Sequence, residues 1–213
     1  MTIDGQVVSQ LGVKADPAVQ EIAVDGRPLV LPEATHALML NKPAGVLSTR
    51  EDDRGRLSVM DFVAEDLRRL VYPVGRLDKD STGLLLLLND GALAFRLTHP
   101  SYHVPKTYSV LASRPLSAEE TRLLSAGVEL EDGVTAPAQV VAEAGHPERL
   151  HIVLCEGRKR QIRRMLQAVG VQTLSLERIA MGPLQLGALP EGAVRELASR
   201  ELSALRRAVG LPE

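Results

Sequence analysis

The sequence predicts a mixed α+β protein built on a central sheet. Apolar runs of strand length recur along the chain, and stretches of helical period fall between them. The two kinds of element interleave without the regular strand–helix–strand repeat that a doubly wound parallel sheet requires. At 213 residues, 45% of them hydrophobic and 24% charged, the chain can bury a sizeable core without disulfides.

Each element follows from local signals. Within residues 1–35, apolar runs at 7–8 and 22–24 with turn signals Asp4-Gly5 and Asp25-Gly26 read as short strands and turns. Residues 32–35 read as a linker. Residues 38–40 are strand-like and run into Asn41-Lys42-Pro43-Ala44-Gly45, where Pro43 and Gly45 force a turn. A charged loop over 49–56 precedes Ser58, the expected N-cap of a helix with Val59, Phe62 and Val63 on one face. Residues 71–74 and the five leucines 84–88 read as strands, and the second is apolar enough to be covered on both faces. A short helix is expected over 92–97 and a strand over 107–111. Ser117 and Glu120 form a capping box for a helix that Gly127 ends. Residues 128–150 are acidic and strand-rich, and a further strand covers 151–154. The strongest pattern lies at 158–169, where Ile162, Met165, Leu166 and Val169 make an apolar stripe opposite Arg160, Arg163, Arg164 and Gln167. Arg163 falls at the border between the two faces. A strand over 174–178 and a final helix capped by Ser199, with Leu202, Leu205 and Val209 inward, complete the chain.

Composition narrows the function. No apolar run approaches the ~20 residues that cross a bilayer, and no secretory signal is visible, so a cytoplasmic protein without membrane contact is expected. One cysteine, Cys155, permits no internal disulfide and reads as a core thiol. The five histidines show no zinc spacing, and no nucleotide-binding glycine motif occurs, so neither a metal nor a cofactor is expected. With two Phe, three Tyr and no Trp, the chain is poorly supplied for rows of stacked bases.

The net charge of −2 conceals a segregation: residues 1–35 carry −3, 36–116 carry +2, 117–150 carry −5 and 151–213 carry +4. Arg158, Lys159, Arg160, Arg163 and Arg164 concentrate the positive charge, as a nucleic-acid footprint or as a solvated helix face. Asp78 lies in a loop bracketed by Gly75 and Gly83, beside Arg76 and Lys79. A carboxylate there suits a nucleophile or base, with an Asx-turn as the structural alternative. Tyr108, next to Lys106 at a strand start, suits either base stacking or the half-buried surface of a sheet.

Several motifs occur in order: Leu40-Asn-Lys-Pro-Ala-Gly-Val46, Gly75-Arg-Leu-Asp-Lys-Asp-Ser-Thr-Gly-Leu-Leu-Leu86, Asn89-Asp-Gly91, Lys106-Thr-Tyr108 and Glu156-Gly-Arg-Lys-Arg-Gln-Ile-Arg-Arg-Met-Leu166. Together, across about residues 38–198, they resemble the RsuA/RluB family of ribosomal-RNA pseudouridine synthases. The resemblance implies a mixed, mostly antiparallel central sheet in two halves with flanking helices and a catalytic cleft between them, over residues 36–213. Residues 1–35 resemble the trailing part of a small RNA-binding module, here truncated because its two leading helices are missing.

The implied reaction isomerises uridine to pseudouridine on a base extruded from its stack, without a cofactor. Asp78 matches the catalytic aspartate, acting by attack or by proton abstraction. Arg163 matches the cation that pairs with it, and Tyr108 the tyrosine that stacks on the uracil and removes the proton from its fifth carbon. Arg76 matches the arginine that fills the vacated space. Lys42 and Lys106 are expected as phosphate or cleft contacts, Lys159, Arg160 and Arg164 as RNA contacts, and Leu166 as a pocket residue. The implied partner is a ribosomal RNA hairpin, free or in a pre-ribosomal particle, met by a monomeric enzyme. The Asp52–Ser58 stretch and the short C-terminus favour the large-subunit 23S RNA. A small-subunit 16S enzyme and a non-catalytic ribosome-assembly factor are the alternatives.

Overall fold

A computed structural model of the chain describes residues 1–17, 19–29 and 35–212, so most of the linker expected at 32–35 lies outside the described residues. Two compact units are present, Met1–Thr35 and His36–Glu213. In the first, strands β1 (Thr2–Ile3), β2 (Gln6–Val7), β3 (Ile22–Val24) and β4 (Arg27–Pro28) form an antiparallel sheet in the order β2-β1-β3-β4. Both Asp-Gly pairs make its tight turns with positive φ at each residue: 50° and 76° at Asp4 and Gly5, 51° and 76° at Asp25 and Gly26.

The second unit contains, in chain order, β5 (Ala37–Lys42), α1 (Glu65–Arg68), β6 (Tyr72–Val74), β7 (Thr82–Leu88), α2 (Gly91–Thr98), β8 (Lys106–Ala112), α3 (Ala118–Ala126), β9 (Glu129–Leu130), β10 (Gly133–Val134), β11 (Gln139–Glu143), β12 (His146–Leu154), α4 (Gln161–Ala168), β13 (Thr173–Met181), β14 (Leu184–Gln185), β15 (Val194–Glu196) and α5 (Ser199–Ala208). Nine of these strands make one sheet in the order β11-β12-β8-β13-β7-β5-β15, with β14 beside β13 and β6 beside β7. Every pairing in it is antiparallel except β13 with β7, which runs parallel over two residue pairs, Glu177 with Thr82 and Arg178 with Gly83. The sheet is thus two antiparallel halves joined at a short parallel seam.

The leucine strand explains one half. Side chains of a strand alternate between faces, so Leu84, Leu86 and Leu88 enter a core that also takes in Leu93 and Leu97 of α2 and Leu205 of α5. Leu85 and Leu87 enter the opposite core, with Val59, Met60 and Val63. Each buried leucine contributes about 1.5–3 kcal/mol before conformational entropy opposes it. A third core, under the other half, receives Ile162, Met165 and Leu166 from α4.

Gly83 makes the seam possible. Its φ is +100°, and a Cβ there would lie 2.3 Å from the Arg178 carbonyl oxygen and 2.7 Å from its nitrogen. Only a glycine allows the two backbones to approach so closely.

Four elements differ from expectation, the first being α5, where Ser199 is the opening helical residue and Ala198 the N-cap. Residues 59–62 form a single 3₁₀ turn rather than a longer helix; Ser58 and Asp61 supply its capping box, but the chain is extended again at Val63. The strand expected at 151–154 is the end of β12, which starts at His146. Helix α4 begins at Gln161, not at 158, because Arg160 takes a left-handed conformation (φ 50°) that breaks the helix before it. The buried Gln161 secures that turn: its side-chain oxygen accepts from the Arg158 backbone N–H, and its nitrogen donates to Glu156.

Candidate active site

A cleft of about 620 Å³ opens at the seam, lined by the 75–78 loop, the start of β8, the turn 154–160 and β13. Its wall is apolar where Leu77, Leu154, Ile162, Leu176 and Met181 reach it. Its polar groups include Arg76, Asp78, Lys106, Tyr108, Glu156, Lys159, Arg160 and Arg178. Separate stretches of sequence therefore meet at one place, and the fold brings together six of the expected site residues: Asp78, Tyr108, Arg76, Lys106, Lys159 and Arg160.

The Asp78 loop is braced from behind. Leu77 is buried in the core, its N–H donates to Ser48 Oγ (3.1 Å), and the Ser48 hydroxyl donates to the Leu77 carbonyl (2.9 Å). The Gly45 N–H donates to the Lys79 carbonyl (2.7 Å), and Ser81 N–H closes the turn on the Asp78 carbonyl (3.1 Å). Asp78 itself is half-buried, and among the described residues no hydrogen bond or ion pair holds its carboxylate. It lies within electrostatic reach of Lys42 and Arg160, whose charged forms it favours.

Lys42, expected as a phosphate or cleft contact, reaches neither the surface nor the lining of the cleft. It is fully buried, and its Nζ donates to the carbonyls of Pro43 (2.9 Å) and Ser81 (2.8 Å), with Lys79 at 3.5 Å. The lysine ties the 42–45 turn to the far end of the Asp78 loop, which is why the sheet holds an ammonium group at this depth. Burial pulls its pKa down to about 8, against the opposing pull of Asp80, Asp78 and Glu191.

Arg163 does not meet Asp78. Its Nη2 lies 3.3 Å from Asp80 Oδ2 and donates to the Asp80 carbonyl (3.2 Å), while Nη1 donates to the Thr173 carbonyl (3.3 Å). Arg160 grips the same Asp80 carboxylate through two hydrogen bonds of 3.0 Å. Two arginines three residues apart reach past the α4 end toward one acidic loop residue, and the competing carboxylate is satisfied first. The hydrogen bonds from Arg160 hold Asp80 below the usual carboxylate range, despite partial burial.

Arg164 is likewise committed, through a bidentate pair of 3.0 and 2.9 Å with Asp132, and so does not present a free cation to RNA. Leu166 is fully buried in the core against which Tyr108 packs, rather than lining the cleft. The amphipathic stripe that placed it on the inner face of α4 accounts for it completely.

Tyr108 is half-buried between two cores, and its hydroxyl has no partner among the described residues. Arg76 and Lys159 reach the cleft with no acidic partner among those residues. At the rim, Phe95, His99 and Tyr102 gather with ring centroids 4.9 to 6.3 Å apart, next to the lining residues Thr98 and Pro100. The few aromatics of the chain are thus partly concentrated beside the cleft. Sequence reasoning missed Asp80 and Arg178; the Asp-x-Asp spacing at 78–80 marks the first, and no local signal marks the second.

Residues 36–168 match the family model described as RNA pseudouridylate synthase. The chain is 40% identical over 180 residues to the ribosomal large subunit pseudouridine synthase B of Bacillus subtilis, covering 83% of this chain and 72% of that protein. It is 37% identical to the ribosomal small subunit pseudouridine synthase A of Yersinia pestis, covering 84% and 75% of the two chains. A crystal structure titled pseudouridylate synthase superimposes with a TM-score of 0.77 at 31% identity, over 96% of this chain and 87% of that one.

Proposed function

The chain belongs to the RNA pseudouridylate synthase family and is an RNA pseudouridine synthase of the RsuA/RluB type; we propose that it isomerises a uridine of large-subunit ribosomal RNA, with Asp78 as the carboxylate that opens the glycosidic bond. One observation carries this reading. The Asp78 carboxylate lines the cleft with no partner of its own among the described residues, while the loop that bears it is fixed by Ser48, Gly45 and Lys42. A reactive carboxylate needs that combination of a free head and a rigid base.

The target uridine must leave its stack, at a cost of a few kcal/mol. Arg76, beside Asp78 and without an acidic partner among the described residues, fills the space the base vacates. Asp78 then acts on the ribose, by attack or by proton abstraction. Either way the C1′–N1 bond breaks with its electron pair on the uracil. The base turns and C5 bonds to C1′, with the Asp78–C1′ bond breaking on the attack route and Asp78 returning its proton to the ribose on the abstraction route; the C5 proton is lost and N1 takes up a proton, so no atom enters or leaves overall. Tyr108 supports the base with its ring, and its hydroxyl, without a partner among the described residues, takes the C5 proton as it gives up its own. Lys159 contributes positive charge for the flanking phosphates.

The 52–58 stretch supports the large-subunit substrate over the small-subunit one. We read residues 1–35 as an accessory RNA-binding module. Mapping pseudouridines in both ribosomal RNAs of a strain lacking the gene tests the assignment. Loss of one large-subunit pseudouridine is expected; loss of a small-subunit one, or an unchanged map, contradicts it.

A further inference from the structure

Arg178 is 2% exposed, one of the most deeply placed large side chains of the molecule, yet it lines the cleft. Its Nε donates to the Leu84 carbonyl across the seam (2.7 Å). No other hydrogen bond or ion pair holds its guanidinium among the described residues, and Nη2 is buried without any partner. The contrast with the surface is plain: Arg56, Arg114, Arg158, Arg160, Arg163 and Arg164 all have a carboxylate. Sheet register places Arg178 opposite Tyr108, and Met181 opposite Lys106. Lys106 lines the same cleft, half-buried, and its Nζ donates to the Val104 carbonyl (3.1 Å). Burial, and then the charge of Arg178, lower the Lys106 pKa. Two desolvated cations that disfavour each other are a costly arrangement without an anion between them.

Resting on the proposed function, we infer that Arg178 and Lys106 form an anion-binding subsite in the floor of the cleft, which takes a negatively charged oxygen of the everted uridine nucleotide. Two oxygens have that chemistry. One is a carbonyl oxygen of the uracil, which gains negative charge when the base departs with the C1′–N1 electron pair. The other is a non-bridging oxygen of the adjacent phosphate. Donors fixed before the reaction, in a site shielded from water, stabilise such charge far better than solvent does.

The test is a single-turnover comparison of wild type, Arg178→Gln, Arg178→Lys and Lys106→Met on an RNA fragment carrying the mapped uridine. Turnover by the wild type is required first; its absence counts against the proposed function and not against the subsite. Arg178→Gln should slow the chemical step by about 100-fold or more, with Arg178→Lys partly restoring it. The same proteins are then run on RNA with 2-thiouridine or 4-thiouridine at the target, and with a methylphosphonate beside it. Recognition of a uracil oxygen makes the cost of Arg178→Gln shrink on one thio-substituted base, because sulfur accepts poorly. Recognition of phosphate makes it shrink on the methylphosphonate RNA. Equal loss on every RNA, or no loss, overturns the subsite. Should Arg178→Gln fail to fold, Lys106→Met carries the same comparison, with the same two results against it.

Discussion

Arg163 Nη2 reaches Asp80 Oδ2 at 3.3 Å, and the Asp78 carboxylate two residues earlier is left without a partner among the described residues. The cationic start of α4 therefore holds the loop by its second aspartate and leaves the first open to the cleft. Asp80 acts as a clasp, and the consequences for charge and stability can be measured.

Replacing Asp80→Asn removes the negative charge that two arginines share and one of the oxygens that accept from Arg160. The carboxylate is half exposed, so the stability lost should be modest, about 1 kcal/mol. Because Asp80 is held below the ordinary carboxylate range, its contribution is complete above that range and disappears as pH falls through the depressed value. Urea unfolding of both proteins should thus differ at pH 7 and converge in acid. Freed Arg160 and Arg163 should also tighten RNA binding and steepen its salt dependence. Unchanged RNA affinity would show that the two arginines do not turn outward when released.

The proposed phosphate contacts are cations of the cleft that lack an acidic partner among the described residues. Arg76→Ala and Lys159→Ala should each make the slope of log K against log salt shallower by about 0.7 to 0.9 for every phosphate no longer neutralised. Arg164→Ala, whose guanidinium is occupied by Asp132, should leave the slope nearly unchanged. Filter binding over a range of salt concentrations separates the two groups, and a slope change for Arg164 alone would reverse the assignment.

The fold was legible where sequence signals are local and physical. Five leucines in a row require cover on both faces, and the strand has it; Asp-Gly pairs make the tight turns; Ser117 and Glu120 cap α3 as their spacing predicts. The motif residues Asp78, Tyr108, Arg76 and Lys106 do converge on one cleft. Pairing across long sequence separations was not legible. Periodicity put Arg163 at the edge of α4 but could not choose between Asp78 and Asp80. Lys42 reads from the motif as a phosphate or cleft contact, and only the fold shows three carbonyls around it. Arg178 sits in a strand whose neighbours give no hint that its side chain crosses the seam to Leu84.

Gly83→Ala should be among the most damaging single changes. A Cβ at 2.3 Å from the Arg178 carbonyl oxygen must displace one backbone, at a residue already held at positive φ. A loss of at least about 2 kcal/mol is expected in chemical denaturation. Wild-type stability in this variant would mean that the two halves separate readily at the seam.

Lys42 gives a distinct pH signature. Its pKa of about 8 lies below the ordinary lysine value, so the folded state releases this proton first as pH rises. Between about pH 8 and 10.5 the unfolded chain then holds more protons, and this group should raise stability with pH by up to about 1.4 kcal/mol per unit. The penalty is fully present below about pH 8. Lys42→Met should remove that rise; a rise of equal slope in the variant would place its origin elsewhere.

Tyr108→Phe keeps the ring and removes the hydroxyl. RNA affinity should stay at the wild-type level while product formation falls by about 100-fold, the usual contribution of a positioned proton acceptor. Tyr108→Ala should lose affinity as well. Full activity of the Phe variant would leave the tyrosine with a stacking role only.

The most direct measurement is tritium release from ribosomal RNA transcribed with 5-tritiated uridine, comparing wild type with Asp78→Asn. The substitution preserves size and removes the charge, and the carboxylate it replaces has no partner to lose among the described residues. Tritium release should vanish in the variant while its unfolding midpoint and RNA affinity stay at wild-type values. Continued release by Asp78→Asn would contradict the central claim that this carboxylate opens the glycosidic bond.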